Sequence, residues 1–408
     1  MKGYTFGSDG RLLLATRFLR LFAYGFLSVV LVLYLAELGL SNARIGLLLT
    51  LTLVGDTAIS LLITTTADRA GRKRMLLLGC LLMAAAGAIF ALSQSFMVLL
   101  AAATIGVISP SGKEVGPFLA IEQASLAHIV PSERQTQVFG IYNLVGSLAT
   151  AFGSLAGGGM AQLLLGAGYS RLSSYRAVLF VYAAFGLLLA AASAGLSRRV
   201  ETTAAPAGNR RLFLGLHTSG GIVARLSALF SIDAFAGGLI TQSIIAYWFQ
   251  LRFGTSPAIL GSIFFGANLL AAASALVAAR LASRFGLINT MVFTHIPSNI
   301  LLILVPFMPT LPLAVLLLLL RSSISQMDVP TRQAYTMAVV EPDERSAAAG
   351  ITGVARTAGS AISPTVSLPL ISVLMGGPFL AAGVLKIIYD AALWLSFRST
   401  RKLGAGPR

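Results

Sequence analysis

Apolar residues in this chain do not alternate with polar ones; they come in continuous runs of twenty or more, separated by short polar breaks. A bilayer's hydrocarbon core is ~30 Å thick and takes about 20 apolar residues per helical crossing. The pattern therefore predicts twelve spans, at residues 13–36, 43–66, 75–95, 97–126, 135–165, 176–197, 222–250, 257–281, 288–307, 310–338, 345–372 and 378–398. Strands of a membrane barrel would alternate in segments of about 10 residues, so the unbroken runs point to helices. The fold class is an all-α polytopic membrane protein. Its first run carries Arg17 and Arg20 and lacks a clean small-residue cleavage site, so it reads as a crossing and not a cleaved leader.

The widest interior break, RRVETTAAPAGNRRLFLGLHTSGG at 198–221, divides the spans six and six. It predicts an N-terminal six-helix bundle at 1–197, a cytoplasmic linker at 198–221 and a C-terminal bundle at 222–408. Short matches recur across that break. ADRAGRKR at 67 faces ASRFGLIN at 282, VPSERQ at 130 faces EPDERS at 341, and EQA at 122 faces RQA at 332, at offsets of 215, 211 and 210. Their equal places in the helix order predict a duplicated six-helix unit.

Charge then orients the chain. Only 11% of the 408 residues are charged, against 56% apolar, and the mean hydropathy is +0.84. Of thirty Lys and Arg, nineteen fall on the side shared by both termini and the even-to-odd loops, and four (Arg44, Arg171, Arg176 and Arg252) on the other. Cytoplasmic loops accumulate basic residues, so both ends are expected in the cytoplasm and the chain in the inner (cell) membrane. The same asymmetry accounts for the net charge of +16 without any nucleic-acid partner, since no basic soluble domain exists to bind one. A lone Cys80 excludes an intrachain disulfide framework, and His128, His217 and His295 are far apart, with no metal-ligand spacing. No nucleophile elbow, P-loop or dinucleotide fingerprint is present, so neither an enzyme nor a cofactor is expected, and ATP does not drive the protein directly.

The loop between the second and third spans carries Asp68, Arg69, Gly71, Arg72 and Lys73. In that spacing it resembles the Gly-x-x-x-Asp-Arg/Lys-x-Gly-Arg/Lys-Arg/Lys motif of the major facilitator superfamily, with Thr64 in place of the leading Gly. The resemblance spans essentially the whole chain and implies two six-helix bundles around a central cavity. It also implies that this loop latches the halves on the cytoplasmic side. Asp68 would then sit near the N-terminus of the eleventh helix, around Ser346, where the helix dipole attracts a carboxylate. Arg72 and Lys73 would pair with Glu133 or Glu344. A second element, AFGSLAGGG in the fifth span, matches the exporters' Gly-Pro-x-x-Gly-Gly at Gly153, Gly157 and Gly158, with Ser154 for the Pro. Small residues four apart also serve plain close packing.

Seven basic residues remain inside spans, with several acids, and each mid-membrane charge needs a partner, a wet cavity or a task. At ~1.5 Å of rise per residue, Asp56, Lys113, Glu114, Asp233, Asp328 and Arg356 lie about 15–20 Å from the cytoplasmic face, near the midplane. Arg321, Ser325, Asp328 and Arg332 form one helical stripe in the tenth span, and Arg17, Arg20 and Tyr24 another in the first. PSGKEVGP in the fourth span predicts a broken helix with bared carbonyls. The expected substrate-binding residues are Arg20, Tyr24, Lys113, Glu114, Asp233, Arg321, Asp328 and Arg332, with Glu114 and Asp233 as proton carriers. Because the resemblance sets the second and eleventh spans together, an Asp56 to Arg356 bridge is expected to break or slide as the halves rock; a Glu122 to Arg332 pair would lock the cytoplasmic gate. Lys386 and Asp390 are expected to pair at i, i+4.

These readings predict a monomeric secondary transporter that moves a small organic molecule by alternating access in the bilayer, coupled to protons and directed outward. Uptake of an anionic or zwitterionic metabolite is the alternative, and a lipid-handling protein that transports nothing through a central cavity is the rival of another class.

Overall fold

The computed structural model describes residues 7–197, 200–201, 216–341 and 344–397, with side chains throughout except at 64–66, 68–69, 132–133, 136, 279 and 346. Among the described residues there are helices and no strands. In chain order they are α1 (Ser8–Ser28), α2 (Leu31–Glu37), α3 (Asn42–Ala70), α4 (Arg72–Leu92), α5 (Phe96–Ile105), α6 (Phe118–Ile129), α7 (Ser132–Gly166) and α8 (Arg171–Ala194). There follow α9 (Gly220–Gly238), α10 (Gln242–Phe253), α11 (Pro257–Phe285), α12 (Leu287–Leu304), α13 (Leu311–Ser322), α14 (Asp328–Ala338), α15 (Arg345–Val373) and α16 (Gly377–Phe397). Nine helical stretches among the described residues are long and apolar enough to cross a membrane, and α5 and α13 are shorter apolar helices.

Among the described residues sixteen α-helices fall into twelve crossings, four of them broken: α1/α2, α5/α6, α9/α10 and α13/α14. These are the first and fourth of each set of six. The expected break at PSGKEVGP is present, with no helix between Ile105 and Phe118. The break between Ser322 and Asp328 was not expected, and it divides the stripe read through Arg321 and Arg332 between two helices. The repeat also shows in helix pairing. α1 packs on α7 and α9 on α15, the first and fifth crossings of each set; α4 packs on α8 and α12 on α16, the third and sixth.

Chain contacts divide the molecule into two compact units, Met1–Ala207 with Thr241–Asn268, and Gly208–Ile240 with Leu269–Arg408. In the first unit, α1 and α7 approach closely enough that a Cβ at Gly25, Gly153 or Gly157 would collide with backbone of the facing helix, at Thr150, Phe22 and Phe26 respectively. The glycines of the fifth crossing thus have a packing task. The second unit repeats the device, with Gly359 against the Ser231 backbone. Gly71 and Gly286, matched at an offset of 215, both hold φ in the left-handed region (99° and 83°), at the α3/α4 and α11/α12 corners.

Around Gly71 several hydrogen bonds run to residues just past the end of α8. Arg72 N and Lys73 N, in the first turn of α4 and so without helical acceptors, donate to the Glu201 carboxylate at 2.7 and 3.1 Å, which caps the helix. Arg72 Nη1 and Lys73 Nζ reach Val200 O at 3.3 Å and Leu196 O at 2.9 Å, past the end of α8. Glu344, one of the expected partners, is held in the second unit by the backbone of residues 217–219. The side chains of Asp68, Arg69, Glu133 and Ser346 lie outside the described residues, as does most of the expected linker.

Candidate functional site

Among the basic residues inside spans, Arg17, Arg20, Arg332, Arg356 and Lys386 make ion pairs in two clusters, one in each unit. In the first unit Arg20, on α1 and fully enclosed, forks onto Glu122 of α6 with Nη1 to Oε1 at 2.6 Å and Nη2 to Oε2 at 2.8 Å. Its Nε donates to Glu114 Oε1 at 2.8 Å, and its guanidinium lies over the Phe118 ring. Glu122 also accepts from Thr16 Oγ1 at 3.0 Å and from Tyr142 OH. Arg17 pairs with the other oxygen of Glu114 and stacks on Tyr142. Bidentate, charge-assisted bonds are what make such a pair tolerable away from water; stripping one partner from a buried pair costs about 3–5 kcal/mol.

Glu114 belongs to the unwound segment between α5 and α6, whose backbone groups need partners in the absence of a helical ladder. Side chains supply them. Tyr182 OH donates to Val107 O at 2.8 Å, Tyr24 OH to Val115 O at 3.1 Å, Thr150 Oγ1 to Gly112 O at 3.3 Å and Ser109 Oγ to Lys113 O at 2.7 Å. The Gly116 N–H donates to Asp56 Oδ1 at 2.5 Å. Tyr24 and Asp56 are therefore engaged in holding the break open: Tyr24, expected as a ligand, is fully enclosed, and Asp56 has its partner inside its own unit.

The second unit builds its cluster on Asp233 of α9. Lys386 of α16 meets Oδ1 at 2.5 Å, while Arg332 of α14 and Arg356 of α15 share Oδ2 at 3.1 and 3.3 Å. Arg332 also holds Asp328 at 2.7 Å, the i, i+4 pair, and lies over the Phe230 ring. The structure corrects the expected Lys386 to Asp390 pair, because Lys386 reaches Asp233 instead. Asp390 faces His295 Nδ1 at 2.9 Å and accepts from Asn299 Nδ2 at 3.1 Å. Lys386, His295 and Asn299 were missed as members of the cluster. The signal for Lys386 was in the sequence, a charge in mid-span, but its partner is 153 positions away and no local spacing points to it.

Arg321, at the last turn of α13, feels the charges of Asp328 and Asp233, yet its Nε is buried with no hydrogen-bond partner. Arg356 has its partner in Asp233, and Glu122 in Arg20, so in this structure the members of both expected gating pairs, Asp56 with Arg356 and Glu122 with Arg332, find partners within their own units. Lys113 sits on the unwound segment beside Glu114. No group of His, Cys, Asp and Glu among the described residues could hold a metal ion.

The two clusters are related with sign exchanged. The first crossing offers Arg20 and the fourth Glu122 in one unit; the first offers Asp233 and the fourth Arg332 in the other. Broken first and fourth crossings, a buried ion pair joining them, and repeated helix pairing define a polytopic helical membrane protein made of two related six-helix sets. Comparison with known proteins narrows this class. Residues 13–364 match the Major Facilitator Superfamily, and the chain belongs to that family of transporters. It is 31% identical over 387 residues to the uncharacterized membrane protein YJR124C of Saccharomyces cerevisiae, covering 87% of this chain and 86% of that protein. It is also 29% identical over 146 residues to the quinolone resistance protein NorA of Staphylococcus aureus, 36% of each chain. A bacterial homologue of the human lysosomal transporter Spinster, in an inward-facing and unoccupied conformation, superposes with a TM-score of 0.74 over 99% of this chain and 100% of that one, at 18% identity, a likeness of fold.

Proposed function

We propose that the protein is a monomeric secondary transporter that expels a small organic molecule in exchange for protons by alternating access, with both termini in the cytoplasm. The observation that carries the proton coupling is the shared carboxylate pair around Arg20. Arg20 touches both Glu114 and Glu122, and Glu114 lies on an unwound segment with 15% of its side chain exposed, against 1% for Glu122. Protonating Glu114 leaves Arg20 its two-pronged bond to Glu122 and frees Arg17, whose guanidinium keeps its place over the Tyr142 ring, so the cluster retains one carboxylate while the other titrates. Asp233 is the second carrier, released only when its cations move to other partners. Outward direction rests on the match to NorA, a protein named for quinolone resistance, over 36% of the chain. Arg20, Lys113, Glu114, Asp233, Arg321, Asp328 and Arg332 are the proposed contacts for cargo and Asp56, Arg356, Glu122 and the loop from Asp68 to Lys73 the moving joints, with Tyr24 positioning the unwound segment.

Purified protein in liposomes under an imposed pH gradient tests the reading. Gradient-driven solute movement is expected for the natural chain, and Glu114→Gln is expected to retain exchange of solute for solute while losing the response to the gradient. A chain that moves no member of a broad metabolite and drug panel in either direction overturns it.

A further inference from the structure

The two clusters are not electrically equivalent. In the first unit Arg17 and Arg20 are matched by Glu114 and Glu122. The cluster of the second unit contains four cations, Arg321, Arg332, Arg356 and Lys386, and three carboxylates, Asp233, Asp328 and Asp390, one of which is also claimed by His295. At least one positive charge is left over. An uncompensated charge in a low-dielectric interior is expensive, and its cost falls when an anion arrives.

The surplus can be located. Asp233 meets three cations, more than one carboxylate needs; of these Arg356 has the longest contact, 3.3 Å, and the most exposed side chain, 33% against 7% for Arg332 and 8% for Lys386. Arg321 is the other. Carbonyls at the end of α13 give it partial negative charge, but its Nε has no acceptor. Arg321 ends α13 just before the short break that leads to Asp328, and Arg356 shares Asp233 Oδ2 with Arg332, which also holds Asp328, so the two guanidinium groups come to the same carboxylate pair from two elements. A guanidinium presents planar, forked donors that match a carboxylate or phosphate in two-pronged fashion.

We propose that Arg321 and Arg356 form the seat for an oxyanion, the carboxylate or phosphate of the cargo, and that the second unit is the anion-recognising half. This deepens the transporter reading and rests on it for the word cargo, but binding is measured without transport. Detergent-purified full chain is melted with benzoate, inorganic phosphate, benzamide or phosphatidylglycerol. Benzoate or phosphate is expected to raise the melting temperature, and benzamide, the uncharged counterpart of benzoate, is not. Arg321→Gln and Arg356→Gln are expected to weaken the protecting anion by about tenfold or more, the scale of a lost charged hydrogen bond, while Arg321→Lys retains part of the effect and shows that loss is not misfolding. Equal protection by benzamide, undiminished protection in both Gln variants, or protection by phosphatidylglycerol alone overturns the proposal. Flux of uncharged solutes without anion protection would remove this inference and keep the transporter; anion protection without any flux would do the reverse.

Discussion

A single carboxylate, Glu344, ties together two segments that the sequence keeps 125 residues or more apart. It accepts the backbone N–H groups of Thr218 and Ser219 at 2.8 and 2.9 Å and that of His217, with His217 Nδ1 at 2.5 Å. Burial works against the charged form, but the ring of N–H donors outweighs it and holds the carboxyl well below the ordinary range. A carboxylate so depressed adds stability that is complete above the ordinary value of about 4.3 and is lost as pH falls toward the folded-state value. At pH 7, Glu344→Gln is therefore expected to melt below the natural chain, with the gap narrowing as pH is taken under about 4. Melting curves from pH 3.5 to 8 check this; a gap that stays constant with pH, or is absent at pH 7, counts against it. At this scale the sequence was legible in kind more than in pairing. Arg17, Arg20, Arg332, Arg356 and Lys386, all left inside spans by the sequence, each pair with a carboxylate, since a charge that cannot reach water must find another charge. Which charge it finds is set by packing across the bundle, so Lys386 went to Asp233 and not to its neighbour Asp390 on the same helix.

Between helices, the contacts that matter are made by residues with almost no side chain. Gly153 and Gly157 of α7 lie against the backbone of α1 at Phe22 and Phe26, with no room for a methyl group on either. Gly157→Val is expected to destabilise by about 1–3 kcal/mol or to prevent folding, because the obstacle is backbone and cannot rotate aside. Gly159, one turn face away, has open space around its missing Cβ, so Gly159→Ala is the control expected to melt within a degree or two of the natural chain; comparable losses in both variants would refute the close-packing account. Helix positions were readable because apolar length is dictated by the bilayer. The break at PSGKEVGP was readable from its prolines and glycines. That between α13 and α14 was not: its residues, SISQM, contain neither Pro nor Gly, and only the repeat, with a broken fourth crossing in the other half, would have pointed to it.

For the whole molecule, the lean of basic residues toward one side predicts a direction in the membrane. Cys80 is the chain's one cysteine and is buried, so a Cys80→Ser background accepts single reporters. With both termini cytoplasmic, a cysteine at Ser170, between α7 and α8, is expected to react with an impermeant maleimide added to intact cells, and one at Ser283, near the α11/α12 corner, only after the cells are opened. The opposite pattern would invert the topology and with it the direction assigned to proton flow. The family and the two-fold repeat were both present in the sequence, the first in Asp68 to Lys73 and the second in Gly71 against Gly286, whose equal backbone conformation explains why that glycine recurs.

The exchanged signs of the two buried pairs constrain how such a chain came to be. If both halves descend from one ancestor, a cation and a carboxylate have traded places between the first and fourth crossings of one copy. Any lineage that altered one member at a time passed through two like charges facing each other in a dry interior, or through a neutral residue that spared it that repulsion. Each of these positions therefore sets which substitutions its counterpart can survive, and neither can drift alone.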